Sequence, residues 1–105
     1  MGLYKKWSRG VELPVPYVYL LRCRDGSLYA GAAMDLARRL AEHTAGRAAR
    51  YTRSRRPVAL VWWQEVESWS AALREEIRLK RLDRAAKDKL VGELAAVSPA
   101  AGPLL

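Results

Sequence analysis

The tripeptide Arg24-Asp25-Gly26 constrains the fold of this chain more than any other feature, because it turns one alternating segment straight back on another. From Tyr17 to Cys23 the residues alternate, with Tyr17, Tyr19, Leu21 and Cys23 on one face and Val18, Leu20 and Arg22 on the other, which is the period of a strand. Ser27 to Ala32 returns as the second strand. A two-residue Asp25-Gly26 loop would pair Arg22 with Tyr29 and send Tyr19 and Tyr29 to opposite faces. A three-residue loop with Gly26 in the left-handed region pairs Leu21 with Tyr29 and Tyr19 with Gly31, so that both rings share a face. The bulged register is the expected one, and Gly31, lacking a side chain, is expected to leave open space beside Tyr19.

The hairpin feeds directly into a helix. Asp35 is a natural N-cap, the helix is expected to run to about Thr44, and Gly46 is its stop. At 100° per residue Leu36 and Leu40 form the buried row. Arg39 and His43, four apart, form the adjacent row at the edge of the core, and Arg38 and Glu42 point toward solvent. Arg39 and the chain's single histidine therefore face the cleft beside the tyrosines.

Beyond this helix the charge becomes one-sided. The chain carries a formal net charge of +8 over 105 residues. Arg38, Arg39, Arg47, Arg50, Arg53, Arg55 and Arg56 fall close together, with only Glu42 among them to oppose them. Such a patch points to a polyanion, and nucleic acid is the commonest one. Arg47, Arg50, Tyr51, Arg53, Arg55 and Arg56 are the expected nucleic-acid-binding residues. Tyr51 offers a stacking ring and Thr52 a hydroxyl donor for a sugar-phosphate backbone. A single cysteine, Cys23, excludes an intramolecular disulfide, and one Cys with one His cannot build a four-ligand zinc site. No run approaches the ~20 apolar residues of a membrane span. The N-terminal MGLYKKWSRG has no apolar segment behind its basic residues, so no targeting signal is read and a cytoplasmic setting is expected.

Residues 1–14, with Gly2, Gly10 and Pro14, are expected to form an irregular arm that Trp7 and Leu13 pin locally. Val58 to Val66 reads as the third strand, alternating Val58, Leu60, Trp62 against Ala59, Val61, Trp63. Ser68 or Ser70 caps a helix to about Leu82, and Asp83 caps another to about Ala96 with Leu90 and Leu94 inward. Residues 98–105 form a tail. The expected fold is a single α/β (α+β) domain over 15–97, a small three-stranded antiparallel sheet flanked by three or more helices.

On the helix after the third strand, Trp69, Ala72, Leu73, Ile77, Leu79 and Lys80 make one inward arc, and Glu76 lands inside it. A buried carboxylate costs several kcal/mol unless it is paired or holds a cation. Pairing with Lys80 and coordination of a metal both satisfy that demand.

These residues carry a resemblance. Tyr17-Val18-Tyr19, Tyr29-Ala30-Gly31, Arg39-Leu40 and the later Glu76 resemble the GIY-YIG nuclease domain. DGSLYAGA, DLARRLAEH, YTRSRRPV and ALREEIRLKRL are similar to the small stand-alone UPF0213 group within it. Tyr17 stands where the motif has its first Gly, Ala30 where it has Ile, and the chain contains no Asn, which some members carry near the domain's end. The resemblance implies a fold of GIY-YIG type and a DNA phosphodiesterase, with DNA repair or processing as its setting. Tyr19, Tyr29, Arg39, His43 and Glu76 would be its catalytic positions, Glu76 would hold Mg²⁺ (or Mn²⁺), and no small-molecule cofactor is implied. Either tyrosine could activate the attacking water. The alternative is a nucleic-acid-binding module on the same scaffold with little turnover.

Overall fold

The computed structural model describes residues 15–97. The expected arm, with Trp7 and Leu13, and the expected tail lie outside the described residues. The chain forms β1 (Tyr17–Arg22), β2 (Leu28–Ala33), α1 (Leu36–Ala45), α2 (Arg50–Arg53), β3 (Ala59–Glu65), α3 (Trp69–Arg81) and α4 (Arg84–Val97). The strands build one antiparallel sheet in the order β2-β1-β3. Among the described residues no helix is long and apolar enough to cross a membrane.

The hairpin adopts the bulged register, with Leu21 opposite Tyr29 and Tyr19 opposite Gly31. Gly26 takes φ 86°, and its N–H donates to the Cys23 carbonyl at 2.9 Å. Asp25 fixes the turn by accepting from the Ser27 hydroxyl at 2.6 Å and the Ser27 N–H at 3.0 Å, and these bonds hold its carboxyl below the usual range. Gly31 does not leave open space. The Tyr19 ring and hydroxyl lie across it, where a Cβ would collide.

The sheet is covered on both sides. Val18, Leu20, Ala30 and Trp62 pack against Ala72 and Leu79 of α3, with Leu90, Val91 and Leu94 of α4 beside them. Tyr19, Leu21, Ala33 and Leu60 pack against Leu36 and Leu40 of α1 on the opposite face. The expected alternation of β3 therefore fails. Leu20 pairs with Trp62 but Leu21 with Leu60, so Val61 is an extra residue. This bulge shifts the side-chain phase and puts Leu60 and Trp62 on opposite faces of the sheet.

Local caps behave as their residue types demand. Asp35 accepts from Arg38 N–H at 3.1 Å, Ser68 from Ala71 N–H at 3.0 Å and Asp83 from Ala86 N–H at 2.9 Å. Gly46, at φ 79°, ends α1 by donating to the His43 carbonyl. Two features depart from the sequence reading. The single turn α2 lies inside the basic segment, where the residues suggest no element. On α3 only Ala72 and Leu79 are buried, while Trp69, Leu73 and Ile77 stand exposed. Their arc is wider than the face that a three-stranded sheet can cover.

Candidate active site

Tyr19 sits at the middle of the central strand and meets α1 where His43 projects inward. Its hydroxyl lies 2.9 Å from His43 Nε2, and His43 Nδ1 lies 2.8 Å from the Thr52 hydroxyl on α2. Tyr19, His43 and Thr52 are 1%, 0% and 1% exposed, so a polar chain runs through the interface of three elements out of contact with water. The helical wheel puts His43 at the core's edge, and the basic surroundings of Thr52 suggest a backbone-binding surface. Both are interior, because the α2 turn closes over the end of α1. The Thr52 hydroxyl is committed to His43 and to the Ala49 carbonyl at 3.2 Å, which removes it from the expected nucleic-acid contacts.

Burial sets the protonation states. It pushes the Tyr19 phenol up to about 12, and the Arg39 guanidinium beside it offsets only part of the rise. Burial, helped by the Arg39 charge, brings His43 down to about 4. At neutral pH both groups are uncharged, and the imidazole has one donor and one acceptor nitrogen.

Arg39 connects this interior to the surface. Burial would lower its pKa, but Tyr19 and Glu42 outweigh that and hold it above its ordinary value. Its Nη1 donates to Glu42 Oε1 at 3.0 Å, and Glu42 also meets Arg38 Nε at 3.6 Å. The buried Arg39 Nε has no hydrogen-bond partner among the described residues. An open groove of about 370 Å³ runs beside the Arg39 side chain, bordered also by Met34, Arg38, Glu42 and Trp69. The wheel turns Glu42 toward solvent, although its i, i+3 spacing from Arg39 is a signal that it braces the guanidinium.

Tyr29 shares the face of Tyr19. Its ring meets His43 edge-on, with centroids 5.4 Å apart, and stacks on Tyr51 at 5.8 Å. Arg55 lies 3.8 Å from the Tyr51 ring centroid and pairs with Asp25 at 3.1 Å, which ties the hairpin turn to α2. Arg56 reaches the carbonyls of Arg53 at 3.1 Å and Thr44 at 3.3 Å. Tyr51, Arg55 and Arg56 are thus engaged within the fold. Arg47, Arg50 and Arg53 are exposed, with no side-chain hydrogen bond or ion pair among the described residues.

Glu76 sits on α3, which covers the other sheet face. Its charge still reaches Tyr19 and raises the phenol slightly. Its side chain, 21% exposed, pairs through Oε2 with Lys80 Nζ at 3.1 Å, and the Lys80 side chain is 54% exposed. Among the described residues no three His, Cys, Asp or Glu side chains converge as a cation cage. One partly exposed carboxylate is nevertheless a donor set that fits Mg²⁺, which accepts one or two carboxylates and fills its octahedron with water and phosphate oxygens.

Fold and site together define a domain in which a hairpin tyrosine meets the Arg and His of the following helix. Residues 15–89 match the GIY-YIG catalytic domain, and the chain belongs to this nuclease family. It is 48% identical over 77 residues to a UPF0213 protein of Natronomonas pharaonis, covering 73% of this chain and 91% of that one. It is 43% identical over 77 residues to a UPF0213 protein of Staphylococcus saprophyticus, covering 73% and 94% of the two chains. The solution NMR structure of an E. faecalis protein is 34% identical and gives a TM-score of 0.53, covering 78% of this chain and 88% of that one.

Proposed function

We propose that this protein is a divalent-metal-dependent nuclease that hydrolyses phosphodiester bonds of DNA in the cytoplasm, with DNA repair or processing as its setting. The observation that carries the reading is the contact of the Tyr19 hydroxyl with a neutral His43, beside an Arg39 whose buried Nε has no partner among the described residues. A phenol at about 12 is a poor base alone. Tyr19 is 1% exposed in the free protein, so substrate binding has to admit the attacking water beside Arg39; Tyr19, backed by His43, then takes a proton from that water while passing its own to Nε2. The water oxygen forms the new P–O bond. The leaving oxygen departs with the electrons of the old bond and takes a proton from solvent; the proton on His43 Nε2 returns to the Tyr19 oxygen as Tyr19 gives up the one taken from water, which restores both groups. Arg39, anchored through Nη1 by Glu42, braces the phosphate as charge builds on it, a contact that Lys would make poorly. Glu76 would hold Mg²⁺ or Mn²⁺, which when bound supplies charge neutralisation at the phosphate. Tyr29 packs His43 in place, and Arg47, Arg50 and Arg53 carry the nucleic-acid backbone.

The test is incubation of labelled DNA and RNA of several secondary structures with the protein, with and without Mg²⁺ or Mn²⁺. Metal-dependent cleavage of DNA that falls about 10²-fold or more in Tyr19→Phe, Arg39→Ala and Glu76→Ala is the expected result. Cleavage that survives all three substitutions would reject the assignment. The Glu76–Lys80 pair favours a second reading, a binding module on the same scaffold. DNA binding unchanged by Arg39→Ala and Glu76→Ala, with no cleavage under any metal, would establish that one.

A further inference from the structure

We infer that Thr52 is a positioning residue that holds His43 in the Nδ1–H tautomer, leaving Nε2 as the acceptor for the Tyr19 proton. Its catalytic consequence rests on the nuclease reading above, but the tautomer does not. The proton order follows from groups that can act in only one direction. The Ala49 carbonyl can only accept, and it lies 3.2 Å from the Thr52 oxygen, so the single Thr52 hydrogen points there. Otherwise two lone-pair-bearing oxygens would face each other in a site closed to water. With its hydrogen spent, Thr52 meets His43 Nδ1 at 2.8 Å as an acceptor, and Nδ1 carries the proton.

The other end of the chain accommodates this order. Among the described hydrogen bonds the Tyr19 hydroxyl has one partner, His43 Nε2. If His43 Nε2–H donated to that oxygen, the Tyr19 hydrogen would lie buried without an acceptor, at a cost comparable to a missing hydrogen bond. Pointing it at Nε2, 2.9 Å away, gives the Tyr19 hydrogen an acceptor and Nε2 a donor. The sequence runs from the Tyr19 O–H to Nε2, then from Nδ1–H to the Thr52 oxygen, then from the Thr52 O–H to the Ala49 carbonyl. When Tyr19 delivers its proton, both imidazolium N–H groups already have acceptors. Thr52 touches no substrate. It acts through His43, and the α2 turn brings it there from nine residues beyond the histidine.

His43 is the only histidine in the chain, so its ring nitrogens can be read without ambiguity in a ¹⁵N-labelled full-length sample. Wild type at pH 7 should show a protonated Nδ1 and an unprotonated Nε2. Thr52→Val keeps the shape but removes the acceptor, and should bring up the Nε2–H form. Thr52→Ser should restore the wild-type pattern. In cleavage assays Thr52→Val should lower kcat by about 10- to 100-fold with KM and DNA affinity unchanged, and Thr52→Ser should recover most of the activity. A wild-type ring protonated at Nε2 overturns the inference without any variant, even if Thr52→Val fails to fold. So does a folded Thr52→Val whose ring signals match wild type. The expected tautomer and its disappearance in Thr52→Val, in a chain that cleaves nothing, would leave Thr52 assigned and reject the nuclease reading alone.

Discussion

The Tyr19 ring lies across Gly31, the residue directly opposite it on β2, so closely that any Cβ there would overlap the phenol. Tyr19 is 1% exposed and bonded to His43, so it has nowhere to retreat. Gly31→Ala should destabilise the fold by about 1–3 kcal/mol and push the hydroxyl off His43. Urea unfolding gives the first effect, and the ¹⁵N signals of the His43 ring the second. Unchanged stability with unchanged ring signals would show that the ring sits more loosely over Gly31 than described.

The basic segment divides into two groups with different expected behaviour. Arg47, Arg50 and Arg53 are exposed without side-chain partners among the described residues. Alanine at each should lower the slope of log affinity against log salt by about 0.7–0.9 for each phosphate that the missing guanidinium would have neutralised, with folding unaffected. Arg55→Ala removes the stacking on Tyr51 and the Asp25 pair, and should cost about 1 kcal/mol of stability with little change of slope. Equal salt slopes for all four variants and wild type would place the binding surface elsewhere.

Because burial depresses His43 from its ordinary 6.5 to about 4, the unfolded chain binds a proton more readily than the folded one between those values. Stability from this group is therefore fully present above pH 6.5 and drains away as pH falls toward 4, by a total of about 3 kcal/mol. Unfolding free energies across that window should fall more steeply for wild type than for His43→Gln. Parallel curves would mean that His43 is not buried neutral. Cleavage should correspondingly show no inflection near pH 6.5.

Glu76→Gln separates metal binding from packing. Lys80 is more than half exposed, so removing the carboxylate strands no ammonium in the core, and stability should change by less than about 1 kcal/mol. Metal-dependent cleavage should fall about 10²-fold or more while DNA affinity holds. A large drop in stability insensitive to Mg²⁺, with no metal-dependent cleavage by wild type, would make Glu76 a structural residue. Thermal denaturation with and without Mg²⁺, beside the cleavage assay, decides between them.

Much of the scaffold could be read directly from the residues, for a local reason. Gly26 supplies a left-handed φ that selects the bulged turn, and once the turn is chosen the period of two puts Tyr19 and Tyr29 on one face. Asp35, Gly46, Ser68 and Asp83 end or begin helices because their own side chains, or the lack of one, satisfy backbone groups within a few residues. None of these needs to know what lies across the core. The tertiary structure alone decided what depends on distant partners. The bulge at Val61 reflects how β3 fits β1, and it reversed the expected faces of Leu60 and Trp62. The turn α2 is too short to be stable by its own propensity, and its contacts with His43 and Tyr29 carry it into place. Those contacts buried His43, recruited Thr52 and gave the surface residues Tyr51, Arg55 and Arg56 partners within the fold. A helical wheel gives the direction of a side chain, but burial is settled by the surface that arrives to cover it. That surface, for Trp69, Leu73 and Ile77, is not provided by the described residues.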